Sequence, residues 1–237
     1  MRQLAAPGSF RPSGDPTRQD GVVTLMAASV RLDELMSRLG RKRPVFHSEA
    51  DFQHAFAWEA QQVDPDARVR LETHPEPAVR LDLLLARPDL DAYTVVELKY
   101  LTARWSGVVD GEHFTLRNQG AQDVRAYDVV KDIGRIERFI AGKPGWTGIF
   151  VAISNDPSYW RPVTHGRTTN ADAFRIYEGV TLSGTRAWGS NTGAGTMKNR
   201  EPSIDLRGIH RLTWRDYSQV DAKPGGRFRA ITLEVKP

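Results

Sequence analysis

Two β-prone runs in this chain carry charges that a buried strand does not tolerate without partners. The first is Val79-Arg80-Leu81-Asp82-Leu83-Leu84-Leu85, and the second is Tyr93-Thr94-Val95-Val96-Glu97-Leu98-Lys99. Between them, Pro88-Asp89-Leu90-Asp91 supplies a turn, so the two runs are expected to pair as a hairpin. Side chains alternate along a strand, which puts Asp82 with Arg80 and Leu84, and Glu97 with Val95 and Lys99. Such a hairpin can gather two carboxylates and one ammonium on one side of a sheet. Buried carboxylates need compensation, and a hard divalent cation with oxygen ligands provides it.

Glu-x-Lys alone is a weak signal, because on an exposed strand the pair is a solvated stripe worth little. The chain repeats it in Leu233-Glu234-Val235-Lys236, where the nearest upstream Ile204-Asp205-Leu206 lies beyond a long irregular stretch. That second copy reads as structural. The first copy gains weight from its surroundings. Upstream, Ser48 is a good helix N-cap, Glu49 and Asp51 suit a first turn, and Phe52, Ala55, Phe56 and Glu59 follow at helical spacing. Glu49, Phe52, Gln53 and Phe56 share a face of that helix.

Downstream, a second hairpin is expected from residues 103–109 and 113–116 around Asp110-Gly111, one of the best local hairpin signals. A long helix follows over about residues 121–141, ended by Gly142 and Pro144. Its Arg125, Lys131, Arg135 and Arg138 suit phosphate contacts. They also suit a solvated face laced by pairs such as Asp128 with Lys131. Residues 145–154 then read as a fully buried strand.

The order helix, strand, strand with Asp82, strand with Glu97 and Lys99, helix, strand resembles the PD-(D/E)XK nuclease superfamily, which has the restriction-endonuclease-like fold. The resemblance covers roughly residues 45–153, and Leu81 stands where many members carry Pro. It implies an α/β fold with an αβββαβ core, whose central mixed sheet is flanked by helices. It also implies Mg²⁺, with Mn²⁺ as a substitute, held by Asp82, Glu97 and Glu49, with Lys99 orienting or activating the attacking water. A Gln from the following helix often assists, and Gln122 is the matching residue. Tyr127 stands one residue too far from Gln122 for the Gln-x-x-x-Tyr pattern of a related exonuclease subset. The implied activity is hydrolysis of phosphodiester bonds in nucleic acid, with DNA the expected polymer.

Composition sets softer bounds. At 237 residues, 40% hydrophobic and 26% charged, the chain can build one sizeable core. The expectation is a single nuclease-like domain over residues 30–237, with core 45–153 and a C-terminal extension 154–237. The absence of Cys excludes disulfides, thiolate zinc sites and Cys nucleophiles, and fits a cytoplasmic protein. No apolar run reaches the length of a membrane span, so no membrane partner is expected. The six His show no metal-binding spacing. Residues 1–46 hold eight Lys or Arg against four Asp or Glu, a surplus equal to the whole chain's +4. The rest is balanced, which argues against strong nonspecific binding to DNA.

Residues 1–29, rich in Pro, Gly, Ser and Arg, read as a disordered segment, with translation starting at Met26 as a further reading. Residues 30–39 read as a short amphipathic helix. The Gly-rich residues 179–203 read as a long mobile loop, and residues 211–217 and 228–235 as two closing strands. The sequence is compatible with a homodimer without requiring one. Two rivals to the nuclease stand beside it. One is a catalytically inactive nuclease-fold protein that binds nucleic acid or assembles a repair or defence complex. The other is a small-molecule-binding α/β protein in which Glu97 and Lys99 form an internal ion pair.

Overall fold

The computed structural model describes residues 29–77, 79–164 and 166–236. The expected disorder over residues 1–29 and the start at Met26 fall outside that range, except that Ser29 opens the first helix. The chain folds as mixed α/β around one six-stranded mixed sheet. Its elements begin with helices α1 (Ser29–Lys42) and α2 (Glu49–Val63). Strands β1 (Arg68–Glu76), β2 (Val79–Arg87) and β3 (Ala92–Leu101) come next. A small hairpin, β4 (Trp105–Val109) and β5 (Glu112–Leu116), leads into α3 (Gln122–Ile140) and β6 (Trp146–Ser154). After β6 come β7 (Thr181–Arg186), the one-turn α4 (Ala194–Met197), β8 (Ile204–Arg211), β9 (Trp214–Gln219) and β10 (Arg227–Val235).

The sheet runs β1-β2-β3-β6-β10-β9, antiparallel throughout except for the parallel pair β3 and β6, which α3 connects. A parallel pair needs such a crossover, because a tight turn cannot bring the chain back in the same direction. β3 and β6 are central and read as near-continuous apolar runs, as strands covered on both faces should. On one face, α1 and α2 pack Leu35, Phe52 and Phe56 over Val96, Leu98, Tyr100 and Ile153. On the other, α3 packs Val129, Ile133 and Ile136 over Val95, Phe150, Ala152 and Leu233. Each large apolar side chain buried this way is worth about 1.5–3 kcal/mol.

Local signals explain most boundaries. Ser48 Oγ accepts the Asp51 N–H and caps α2. Asp110 and Gly111 both have positive φ, the backbone of a two-residue hairpin turn that matches strand twist. Two expectations are corrected. Residues 179–203 are not one irregular loop: Thr181–Arg186 forms β7, paired with β8 through a register shift at Gly184. Trp188 fixes the connection by stacking on Tyr127 at 5.5 Å and donating to the Arg200 carbonyl. Nor do residues 211–217 form one strand. β8 ends at Arg211 in the β7 pair and β9 starts at Trp214 in the main sheet, with Leu212 exchanging backbone hydrogen bonds with Gly179 and Val180 where the chain changes sheets. The second Glu-x-Lys copy lies on β10, where Glu234 pairs with Ile149 of β6.

Candidate active site

The site begins with a divergence of two strands. β2 and β3 pair from Arg87 and Ala92 up to Leu83 and Val96, and there the pairing stops. Asp82 is the first residue beyond it. Its Oδ2 accepts the Leu98 N–H at 2.8 Å, taking the place of the missing strand partner. Two residues further along β3, the Tyr100 N–H is taken at 2.9 Å by Oε2 of Glu49, from the first turn of α2. Two carboxylates thus finish the free edge of β3, and Lys99 lies between the two backbone groups they cap. On β1, opposite this point, Glu72 has φ +51° and pairs its carboxylate with Arg80.

These residues line a cavity of about 470 Å³ that also exposes Gln53, Gln119, Arg125, Asp128, Lys131, Asp132 and Arg135. Of the sequence candidates, Asp82, Lys99 and Glu49 meet there. Glu97 sits behind them, fully buried: Nε of Arg135 lies 3.1 Å from its Oε1, and Nη2 of the same guanidinium contacts Oε2. Lys99 Nζ is 2.6 Å from Oδ2 of Asp132, whose Oδ1 is 3.1 Å from Arg135 Nη2. Lys99 and Glu97 therefore do not pair with each other. Each is matched to an opposite charge on α3.

Gln122 does not line this cavity. Its Nε2 donates to Asp156 at 3.2 Å, and it borders a separate small cleft with Tyr159 and Tyr177. Gln119 takes the position inside, its Nε2 donating to the Tyr100 carbonyl at 2.9 Å. The chain reverses at Gly120 and Ala121, both with positive φ, so only these two residues separate the amide that faces in from the one that faces out. Arg125, Lys131 and Arg135 line the cavity as the basic helix face suggested, and Arg138 does not. Asp128 pairs with Arg200 and Arg125 rather than with Lys131.

Four carboxylates (Glu49, Asp82, Glu97, Asp132) stand against two cations (Lys99, Arg135), and burial lifts three of the acids. Burial raises Glu49 above the ordinary carboxylate value, against the pull of Lys99 and the Tyr100 N–H. Burial likewise raises Asp82, opposed by the Leu98 N–H and by Lys99. Glu97 is raised most, by burial and by Asp132, beyond what Arg135 offsets. Burial alone would pull the Lys99 ammonium down, but Asp132 and Glu49 outweigh it and hold the lysine charged.

Among the described residues, no group of three or more His, Cys, Asp or Glu side chains is gathered so as to hold a metal as it stands. The residues nonetheless fit a divalent ion in two respects. Asp82 Oδ1 and Glu49 Oε1 have no protein hydrogen-bond donor among the described residues, and both side chains face the cavity. In that cluster the acidic side chains also outnumber the basic ones, four to two. Mg²⁺ is commonly bound by only one or two carboxylates, with water and substrate oxygens completing its shell. No helix of the described residues is long and apolar enough to cross a membrane. Comparisons with known protein families, with curated proteins and with solved structures find no match for this chain.

Proposed function

We infer that this protein is a metal-dependent nuclease of the PD-(D/E)XK type, with a restriction-endonuclease-like core over α2 to β6 and DNA as the expected substrate. The observation that carries the reading is the meeting of Asp82, Glu49 and Lys99 in one open cavity, at the point where β2 leaves β3. Element order supports the reading as well: α2, three sheet strands, a small inserted hairpin, α3 and β6 follow one another as in an αβββαβ core, with Asp82 on the second strand and Lys99 on the third.

Asp82 and Glu49 would hold Mg²⁺ or Mn²⁺ through their free oxygens, with Glu97 joining once released from Arg135. The ion would lower the pKa of water and offset charge on the phosphate. Lys99 supplies the fixed charge. Its ammonium stays protonated, and it is fixed on a central strand by Asp132, so it stabilises a phosphoryl group gaining negative charge with little reorganisation. Arg125 and Lys131 rim the cavity and would hold the polymer backbone, where a guanidinium can grip two phosphate oxygens at once. Their modest number agrees with a balanced net charge outside residues 1–46.

One observation favours the inactive-binder reading instead. Glu97 is clamped by Arg135, as a vestigial site would keep it. Incubation of the protein with linear, circular and single-stranded DNA and with RNA separates the two readings. Mg²⁺ or Mn²⁺ is supplied, and EDTA, Lys99→Ala and Asp82→Ala serve as controls. The nuclease reading expects cutting that needs metal and both side chains. Binding without cutting by the wild type on every substrate supports the inactive reading.

A further inference from the structure

Helix α3 supplies this centre with its own counter-ions. The Arg135 guanidinium spans both oxygens of Glu97 and touches Asp132 as well. Glu97 has no exposed side-chain surface, yet Arg135 is 31% exposed and lines the cavity. The guanidinium is held inward against Glu97 and borders the same cavity that Arg125 and Lys131 line. While its fork covers both carboxylate oxygens, no metal can use them.

We propose that Arg135 is the resident counter-cation of the centre, which holds Glu97 until a divalent ion replaces it and then turns into the cavity to contact the anionic polymer. This rests on the nuclease reading above and adds how metal and substrate are linked. Exchange of one positive charge for two on Glu97 frees a third cation, beside Arg125 and Lys131, for phosphate. The metal and the nucleic acid both favour the turned-out guanidinium, so each strengthens binding of the other. Arg135 is thus a positioning residue for Glu97 in the free protein.

The test is calorimetric titration of Mn²⁺ without nucleic acid into wild type, Arg135→Gln, Arg135→Lys, Glu97→Gln and the Arg135→Gln/Glu97→Gln double variant. An ion that must wait for Arg135 to leave sees only a fraction of competent molecules. Arg135→Gln should therefore bind Mn²⁺ about tenfold or more tighter than wild type, with Arg135→Lys between them. In the Glu97→Gln background the same change should give no gain, because that carboxylate is what the two cations compete for. Thermal unfolding gives a second readout: Mn²⁺ should raise the midpoint of Arg135→Gln further than that of wild type. Where Arg135→Gln is too unstable to titrate, Arg135→Lys carries the same comparison. Binding no tighter than wild type, or a gain that persists without Glu97, overturns the proposal. The nuclease reading survives that result if the wild type still binds Mn²⁺ and cuts. Neither binding nor cutting by wild type and Arg135→Gln alike overturns both.

Discussion

The Asp82 carboxylate accepts the backbone N–H of Leu98 at 2.8 Å, in the gap where β2 has ceased to pair with β3. One oxygen of this side chain completes the sheet and the other faces the cavity, so a single residue carries a structural and a chemical role. Substitution can separate them. Asn keeps an acceptor for Leu98 but cannot bind a cation as a carboxylate does. Asp82→Asn should unfold within a few tenths of a kcal/mol of wild type while losing metal-dependent cutting. Asp82→Ala should also lose about 1–3 kcal/mol, because the N–H is left without its partner. Urea unfolding beside a cleavage assay checks both; equal stability losses in the two variants would remove the structural role.

Lys99 answers Asp132 and stands between Asp82 and Glu49. Replacing it with Met removes a positive charge from a centre already short of them. In EDTA, Lys99→Met should unfold at a lower temperature than wild type, and Mn²⁺ should restore it. Cutting should stay down by about 10²-fold or more even with saturating metal, since the ion cannot replace an ammonium aimed at the phosphate. Full recovery of cutting by Mn²⁺ would reduce Lys99 to a counter-ion for Asp132.

Much of this was legible in the sequence, and the illegible parts share a cause. The turn at residues 88–91, the Ser48 cap and the Asp110-Gly111 reversal are local signals that name their own structures. Asp82 and Lys99 were legible because charges in apolar runs demand partners, and Glu49 because it opens a capped helix on the face that carries Phe52, Gln53 and Phe56. Asp132 and Arg135 were not singled out as the partners of Lys99 and Glu97, because an i, i+3 acidic and basic pair on a charged helix looks like any solvated face. Only the packing of α3 on β3 turns them inward. Gln119 lost to Gln122 for a similar reason: two positive-φ residues between them reverse the chain, and nothing in Gly120-Ala121 announces a non-glycine at φ +47°. β7 was hidden by its Ser, Gly and Thr, whose pairing with β8 is a long-range contact.

Three carboxylates with raised pKa values, Glu97 buried and Glu49 and Asp82 half-buried, predict the acid–base behaviour of the fold. The unfolded chain releases these protons in the ordinary carboxylate range, about pH 4, while Glu49, Asp82 and Glu97 in the folded protein release theirs at higher pH. The folded state then binds more protons, so these groups make stability fall as pH rises through their folded values. Glu59 is held below the ordinary range, its burial outweighed by Lys42 and Arg38, and so titrates outside this window. A divalent ion binds the deprotonated carboxylates, so its stabilising effect should grow with pH. The midpoint shift on adding Mn²⁺ should therefore be larger at pH 8 than at pH 5.5 by differential scanning fluorimetry. A shift independent of pH would place the metal away from these carboxylates.

Gly148 ties the packing of the core to the chemistry of the site. It lies on β6, paired with Val95 of β3 and Val235 of β10, and a Cβ there would overlap Cγ2 of Ile136 on α3. Because Gly148 has no side chain, α3 settles close enough for Asp132 and Arg135 to reach Lys99 and Glu97. Gly148→Ala must push the helix away, since the sheet is held by strands on both sides. Overpacking of this kind costs about 1–3 kcal/mol. It should also cost cutting about tenfold or more at a temperature where the variant is fully folded, because Asp132, which fixes Lys99, moves away with the helix. Gly134 provides the comparison. A Cβ there meets Ile204 of β8 at 3.0 Å, on the side of α3 away from the sheet, and alanine favours the helix. Gly134→Ala should stay within about 1 kcal/mol of wild type and cut normally. Equal losses of cutting in the two variants would mean that the distance between α3 and the sheet does not set the geometry of the site.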